Sequence, residues 1–252
     1  MSMSSKKKNV LSRACALVSL LSAMGLPTQA NPTTIEVSLT IDNSYALFTG
    51  TLTAATNFVG SDANWPTTER YTVSLPADHY LYVVTASDIS VAQGFLGQFK
   101  NLDAGYTFYS SDPQWQVMAT GLRTNVVPNH GAPYTGSAAD LALLTQEILD
   151  ANAGLNPSGV PSVTSWVQTT AGPANGGAPW GTRPGIDAAA RWVWYSSNGD
   201  PDPTTPGFNH DEWLVFRIAL AATPIPEPGT FALVGLALLV GRLTTRRRSQ
   251  PA

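Results

Sequence analysis

Hydrophobic and polar positions alternate in several short segments of this chain. The clearest segment is the first, where every second residue from Ile35 to Ile41 is aliphatic and the residues between are polar. This is the two-residue period of a strand with one buried face. Similar segments lie at 45–52, 71–75, 80–85, 107–109, 115–120, 190–195 and 213–220. Turn residues separate them, and this spacing predicts a mainly β fold, an antiparallel β-sandwich or jelly roll.

One segment follows a helical period instead. Ser137 can cap a helix whose apolar side carries Leu144 and Ile148, with Asp140 near the positive end of its dipole. We expect this helix at about 138–151, covering an open end of the sandwich.

The stretch after the helix is rich in Gly and Pro as far as Pro184. It predicts a long loop with at most a short strand or turn at 163–167, and loops of this length are usually functional or mobile.

The amino end has the pattern of an export signal. Lys6 to Lys8 precede an apolar region at 14–26, and small residues up to Ala30 suit signal peptidase. We expect a signal peptide at 1–30, cleaved after Ala30. Cleavage removes Cys15, the single cysteine, so the mature chain has neither a disulfide nor a thiol nucleophile.

The carboxyl end combines a triplet, an apolar run and a basic terminus. These parts are Pro226, Glu227 and Pro228, then residues 229–241, then Arg242, Arg246, Arg247 and Arg248. Their order resembles the PEP-CTERM sorting signal. The resemblance implies an exosortase partner, a membrane enzyme that cuts near the triplet during export in Gram-negative bacteria that make extracellular polysaccharide.

The same segment predicts a membrane anchor. The apolar run, extended to about 229–245, approaches the length of a bilayer span. The arginines stop transfer through the membrane and stay in the cytoplasm. A buried helix of a globular core is the alternative. We expect a sorting signal at 226–252 with a transient inner-membrane anchor at about 229–245, one ectodomain at 31–225, and a final location in the cell envelope, on the outer surface or in the extracellular matrix.

Charge narrows the possible partners. The whole chain has a formal net charge of -3, but residues 31–225 hold sixteen acidic and six basic residues, a net charge of -10. Such a body disfavours nucleic acid, which is bound mainly through cationic contacts to phosphate. It suits divalent cations or neutral sugars, or the charge serves solubility alone.

All seven tryptophans lie in the predicted ectodomain. Trp192 and Trp194 alternate with other residues of a strand, which predicts core packing. Trp65 and Trp180 stand beside prolines in loops, so we take their rings as candidate sugar-binding platforms. The Trp-x-Trp strand together with the strand containing Phe216-Arg217 is similar to galactose-binding-like jelly rolls.

A group of oxygen-bearing residues near the carboxyl end suits calcium, which takes six to eight oxygen ligands. The candidates are Asp200, Asp202, Asn209 and Asp211. Their spacing matches no known calcium loop, so solvated turn residues are the alternative.

No catalytic motif is found. The chain lacks a G-x-S-x-G elbow, a P-loop and a dinucleotide fingerprint, so no residue is assigned a catalytic role. Three functions stay open: a non-enzymatic matrix or adhesion protein that touches polysaccharide or calcium, a secreted carbohydrate-active hydrolase, and a structural surface protein without a small ligand.

Overall fold

The computed structural model describes residues 32–86, 92–123, 135–155, 166–196, 204 and 212–220. Residues Asn31–Thr223 form one compact unit. Its described elements are, in chain order, β1 (Thr33–Asp42), β2 (Ser44–Thr51), β3 (Ala54–Asp62), β4 (Glu69–Leu75), β5 (Tyr80–Ala86), β6 (Gly94–Asn101), β7 (Tyr106–Tyr109), β8 (Gln116–Arg123), α1 (Ala138–Ala153), β9 (Val167–Gln168), β10 (Thr170–Ala174), β11 (Arg191–Trp194) and β12 (Glu212–Ala219).

The strands form two antiparallel sheets, which confirms the predicted mainly β sandwich. The first sheet has the order β10-β11-β6-β1-β4, with β7 also paired to β6. The second has the order β3-β2-β5-β12-β8-β9. The chain enters the first sheet with β1 and passes to the second with β2.

The main core lies between the sheets and follows the alternation seen in the sequence. The aliphatic residues from Ile35 to Ile41 all face this core and are at most 1% exposed. From the second sheet, Leu214, Phe216 and Ile218 of β12 meet them. The strict two-residue period therefore has its expected cause, an apolar face packed against the core, although Ser38, Thr40 and Asp42 on the other face are also buried.

Helix α1 begins where predicted. The Ser137 hydroxyl accepts the Asp140 N–H at 3.1 Å, and Gly154 ends the helix with a positive φ of 69°. The expected position over an open end of the sandwich is wrong. The helix instead lies on the outer face of the second sheet, where Leu144 and Ile148 pack in a second core.

Three described strands were not predicted. β3 is a polar edge strand, and β10 lies in the Gly and Pro-rich stretch read as a loop. β6 is central to the first sheet, yet Gly94 and Gly97 interrupt its apolar pattern. A Cβ at Gly97 would lie 2.8 Å from the Phe99 ring, so the position lacks a side chain because aromatic neighbours fill the space. Within the predicted loop, β9 begins at Val167, the last residue of the segment at 163–167 where we expected at most a short strand or turn.

The outer face of the first sheet is covered in part by the segment at 175–190. This segment and the sheet enclose a third, smaller core that contains Ala92, Leu96, Trp180, Ile186, Ala190 and Trp192. The candidate site lies here.

Candidate functional site

The candidate site is the Trp180 cluster, which we define as Trp65, Trp180, Trp192, Asp42 and Arg183. It brings together residues from β1, β11, the β3–β4 connection and the segment at 175–190, which we call the covering segment because it lies over the first sheet. The two predicted sugar-binding tryptophans therefore share one region of the fold, although they are far apart in sequence.

Trp180 is a buried anchor. Its ring stacks on Trp192 with centroids 4.2 Å apart and an interplanar angle of 20°. Its indole N–H donates to Asp42 Oδ2 at 2.7 Å. Only 3% of Trp180 is exposed, so the expectation of an exposed ring at this position is wrong: the loop folds inward because stacking and a hydrogen bond stabilise the buried indole.

Trp65 keeps part of its ring exposed. The Thr40 hydroxyl donates to the Trp65 carbonyl at 2.6 Å, which fixes the backbone above β1. The Arg183 guanidinium lies over the ring, 5.1 Å from its centroid. This cation–π contact covers one side of the indole, and the residue also packs against the third core, so only part of the half-buried Trp65 is accessible.

Arg183 ties the covering segment to the sheet. Its Nη1 donates to the Pro66 carbonyl at 3.0 Å, and its Nη2 donates to the Trp180 carbonyl. A guanidinium has five N–H donors, and Nε is buried without a partner among the described residues, so only the second N–H groups of Nη1 and Nη2 are left for a ligand. Arg183 can therefore both position Trp65 and donate to a hydroxyl or carboxylate placed on that ring.

Asn175 fixes the backbone of the covering segment through three side-chain hydrogen bonds. Its side-chain amide donates to the carbonyls of Arg183 and Ile186, at 3.1 and 2.7 Å, and its Oδ1 accepts the Arg183 N–H at 2.7 Å. The sheet beneath leaves no room for a larger residue at Gly94, where a Cβ would lie 2.7 Å from Trp192. The cluster is thus a rigid, closely packed structure.

A second polar cluster lies on the outer face of the second sheet and was missed by the sequence reasoning. We call it the Arg217 cluster. The Arg217 guanidinium lies 3.7 Å from the Trp166 ring centroid and 5.4 Å from that of Tyr80. Its Nε donates to Gln116 Oε1, and its Nη1 donates to Asn152 Oδ1, both at 2.9 Å.

Asn152 connects this cluster to α1. Its Oδ1 also accepts the Trp166 indole N–H at 2.8 Å, and its amide donates to the Leu52 carbonyl at 2.8 Å. Burial lowers the pKa of Arg217, and no carboxylate among the described residues pairs with it. The only local signal for this arrangement was an arginine on the outward side of an apolar strand.

The predicted calcium ligands, Asp200, Asp202, Asn209 and Asp211, lie outside the described residues. Within the described ranges, no group of three or more His, Cys, Asp or Glu side chains could hold a metal ion. The calcium site stays a prediction.

The export features also lie outside the described residues. These are the cleavage site at Ala30, the triplet Pro226, Glu227 and Pro228, the anchor at 229–245 and the arginines Arg242, Arg246, Arg247 and Arg248. In the part of the chain that the structure describes, no helix has the length and hydrophobicity needed to span a membrane.

Comparison with known proteins identifies one feature. The chain carries a PEP-CTERM protein-sorting motif at residues 224–248. No curated protein and no solved structure matches the chain, so the similarity to galactose-binding-like jelly rolls stays a prediction. The motif indicates an exported, cell-envelope-associated protein that an exosortase sorts.

Proposed function

We propose that this chain is a non-enzymatic binding or adhesion module of the cell envelope or extracellular matrix. The sorting motif at 224–248 carries the proposal, since it directs the β-sandwich to a location outside the inner membrane. The signal peptide at 1–30 and the anchor at 229–245 fit this route in a Gram-negative bacterium. Signal peptidase acts at Ala30, and the exosortase acts near Glu227.

Extracellular polysaccharide is the proposed ligand. The exposed part of Trp65 offers an apolar surface to a sugar ring, and Arg183 offers N–H donors beside it. Trp180 supports the site from beneath through its carbonyl bond to Arg183. In this proposal Trp65 contacts the sugar, and Trp180 holds the segment that positions Arg183.

Cosedimentation of the exported protein with extracellular polysaccharide from the producing cells tests this function. The proposal predicts that the protein sediments with the polymer and releases no reducing sugar. Release of reducing sugar would favour the secreted hydrolase. A protein that neither sediments nor releases sugar would favour a structural surface protein without a small ligand.

A matched pair of variants tests the site. Trp65→Ala removes the half-exposed ring of the Trp180 cluster, whereas Tyr106→Ala removes a ring on β7 that is 40% exposed. We expect Trp65→Ala to weaken binding about tenfold, since aromatic stacking on a ligand contributes about 1 kcal/mol or more. Tyr106→Ala should bind as the wild type does. Equal losses in both variants would contradict a site at Trp65.

A further inference from the structure

Helix α1 departs at three positions from the usual order of buried apolar and exposed charged residues. Glu147 lies among the sheet-facing residues and is 4% exposed, whereas Leu143 and Leu149 are 42% and 40% exposed. A helix on a protein surface normally buries its apolar stripe and exposes its charges. The contacts of α1 with the second sheet are therefore weaker than those of a helix with leucine at position 147.

One oxygen of the Glu147 carboxyl is buried without compensation. Its Oε2 is inaccessible to water and has no hydrogen-bond partner among the described residues. Leu144 and Ile148, on the same side of the helix, are fully buried in the second core. Burial of an ionised carboxylate without a partner is costly, so this environment favours the neutral acid.

A neighbouring carboxylate acts in the same direction. Asp150, on the same helix, opposes ionisation of Glu147, and together with the larger effect of burial it raises the pKa of Glu147 to about 7. On the outer face of the sheet beneath, the ionisable groups whose side chains the structure describes are Tyr80, Tyr82 and Arg217, and β3 carries Asp62 at its far end. The Arg217 guanidinium is bound by Asn152 and Gln116, and no described cation pairs with Glu147.

We propose that α1 is a pH-sensitive cover of the second sheet, held more tightly while Glu147 is neutral and opening more often once Glu147 ionises. Ionisation would place a charge within the apolar contact, and undocking returns that charge to water. The Asn152 bonds to Leu52 and Arg217 hold the carboxyl end of the helix, so the turns around Glu147 are the ones that separate.

Release of the helix has a definite consequence for the surface. The second core beneath α1 contains Phe48, Tyr82, Val84, Met118 and Val215. These side chains are at most 1% exposed while the helix is docked. Undocking therefore exposes an apolar patch on a protein that acts outside the inner membrane, where the external medium sets the pH.

Amide hydrogen exchange of the full chain tests this proposal. At each pH, the exchange rate of an unstructured peptide is divided by the measured rate to give a protection factor. Between pH 5 and pH 8, we expect protection of the helix amides around Glu147 to fall by about two orders of magnitude, as follows from a carboxyl that titrates near 7 when docked and near 4.5 when released.

Two variants complete the test. Glu147→Gln keeps the shape of the side chain but cannot ionise, so its protection should not change with pH. Glu36→Gln removes a carboxylate from the exposed face of β1 and should behave as the wild type does. A flat wild-type profile, or an equal fall in Glu147→Gln, would overturn the proposal. Amides of α1 that exchange at the same rate as those of β1 and β6 at every pH would also overturn the proposal, because they would show that the helix opens only when the whole domain unfolds.

Discussion

The Trp180 indole stacks on Trp192 with the ring centroids 4.2 Å apart. The same indole donates a hydrogen bond to Asp42, 138 residues earlier in the chain. The Gly and Pro-rich segment at 175–190 is thereby held on the first sheet, beside the half-exposed ring of Trp65. One loop tryptophan is thus part of the core, and the other remains available to a ligand.

The buried position of Trp180 predicts a large loss of stability on its removal. Trp180→Ala deletes the stacked ring and leaves a cavity above Trp192, which should cost about 3–5 kcal/mol of unfolding free energy. Thermal unfolding should show a decrease in Tm on the order of 10 °C. Trp65→Ala, made at a half-buried ring, should decrease the Tm much less. Equal decreases would contradict the different roles assigned to the two rings.

The close contact at Gly94 predicts an overpacking effect. A Cβ at this position would lie 2.7 Å from Cε3 of Trp192, so Gly94→Ala should cost about 1–3 kcal/mol. Denaturant unfolding measures this cost. Trp192→Phe removes the colliding atoms, and Gly94→Ala should therefore cost less in that background. Additive effects in the double variant would show that the two positions are not in contact.

The Arg217 cluster predicts that Asn152 stabilises the docked helix. Asn152→Ala leaves the Arg217 Nη1 and the Trp166 indole without their shared acceptor, which should cost about 1–3 kcal/mol. Chemical unfolding would detect this loss. As a control, Asn64→Ala changes an exposed side chain in the β3–β4 connection and should alter stability little. A cost below about 0.5 kcal/mol for Asn152→Ala would contradict the assigned role.

The burial of Glu147 predicts a specific pH dependence of stability. Its folded pKa of about 7 lies above the ordinary value of 4.5, so the folded state binds the proton more tightly. The stabilisation is complete below about pH 4.5 and is lost as the pH rises through about 7. At pH 8, Glu147→Gln should therefore unfold a few degrees above the wild type, and the difference should shrink or reverse at pH 5. A difference in Tm that does not vary with pH would contradict this.

Local patterns in the sequence were sufficient for most of the sandwich. β1 could be predicted because one face is buried against a second sheet along its whole length. The helix could be predicted because Ser137 caps it and Leu144 and Ile148 share one side. β6 could not be predicted, because its glycines leave space for aromatic rings, those of Trp192 and Trp180 at Gly94 and those of Phe95 and Phe99 of the same strand at Gly97.

The candidate site depends on contacts between distant residues. Proline and glycine beside Trp180 suggested an exposed loop, but the partners that bury this ring, Asp42 and Trp192, belong to other strands. Arg217 likewise lies on the outward side of an apolar strand, and its partner Asn152 comes from the helix. Nothing local in the sequence marks such contacts.

The mass of the protein recovered from the cell envelope and from the medium tests the central claim most directly. The account predicts a wild-type chain that lacks residues 1–30 and has been cut near Glu227. It predicts that Glu227→Ala is still exported but retains its carboxyl-terminal arginines, whereas Glu36→Ala is processed normally. An identical mature mass for the wild type and Glu227→Ala, or a wild-type chain with both ends intact, would contradict the account.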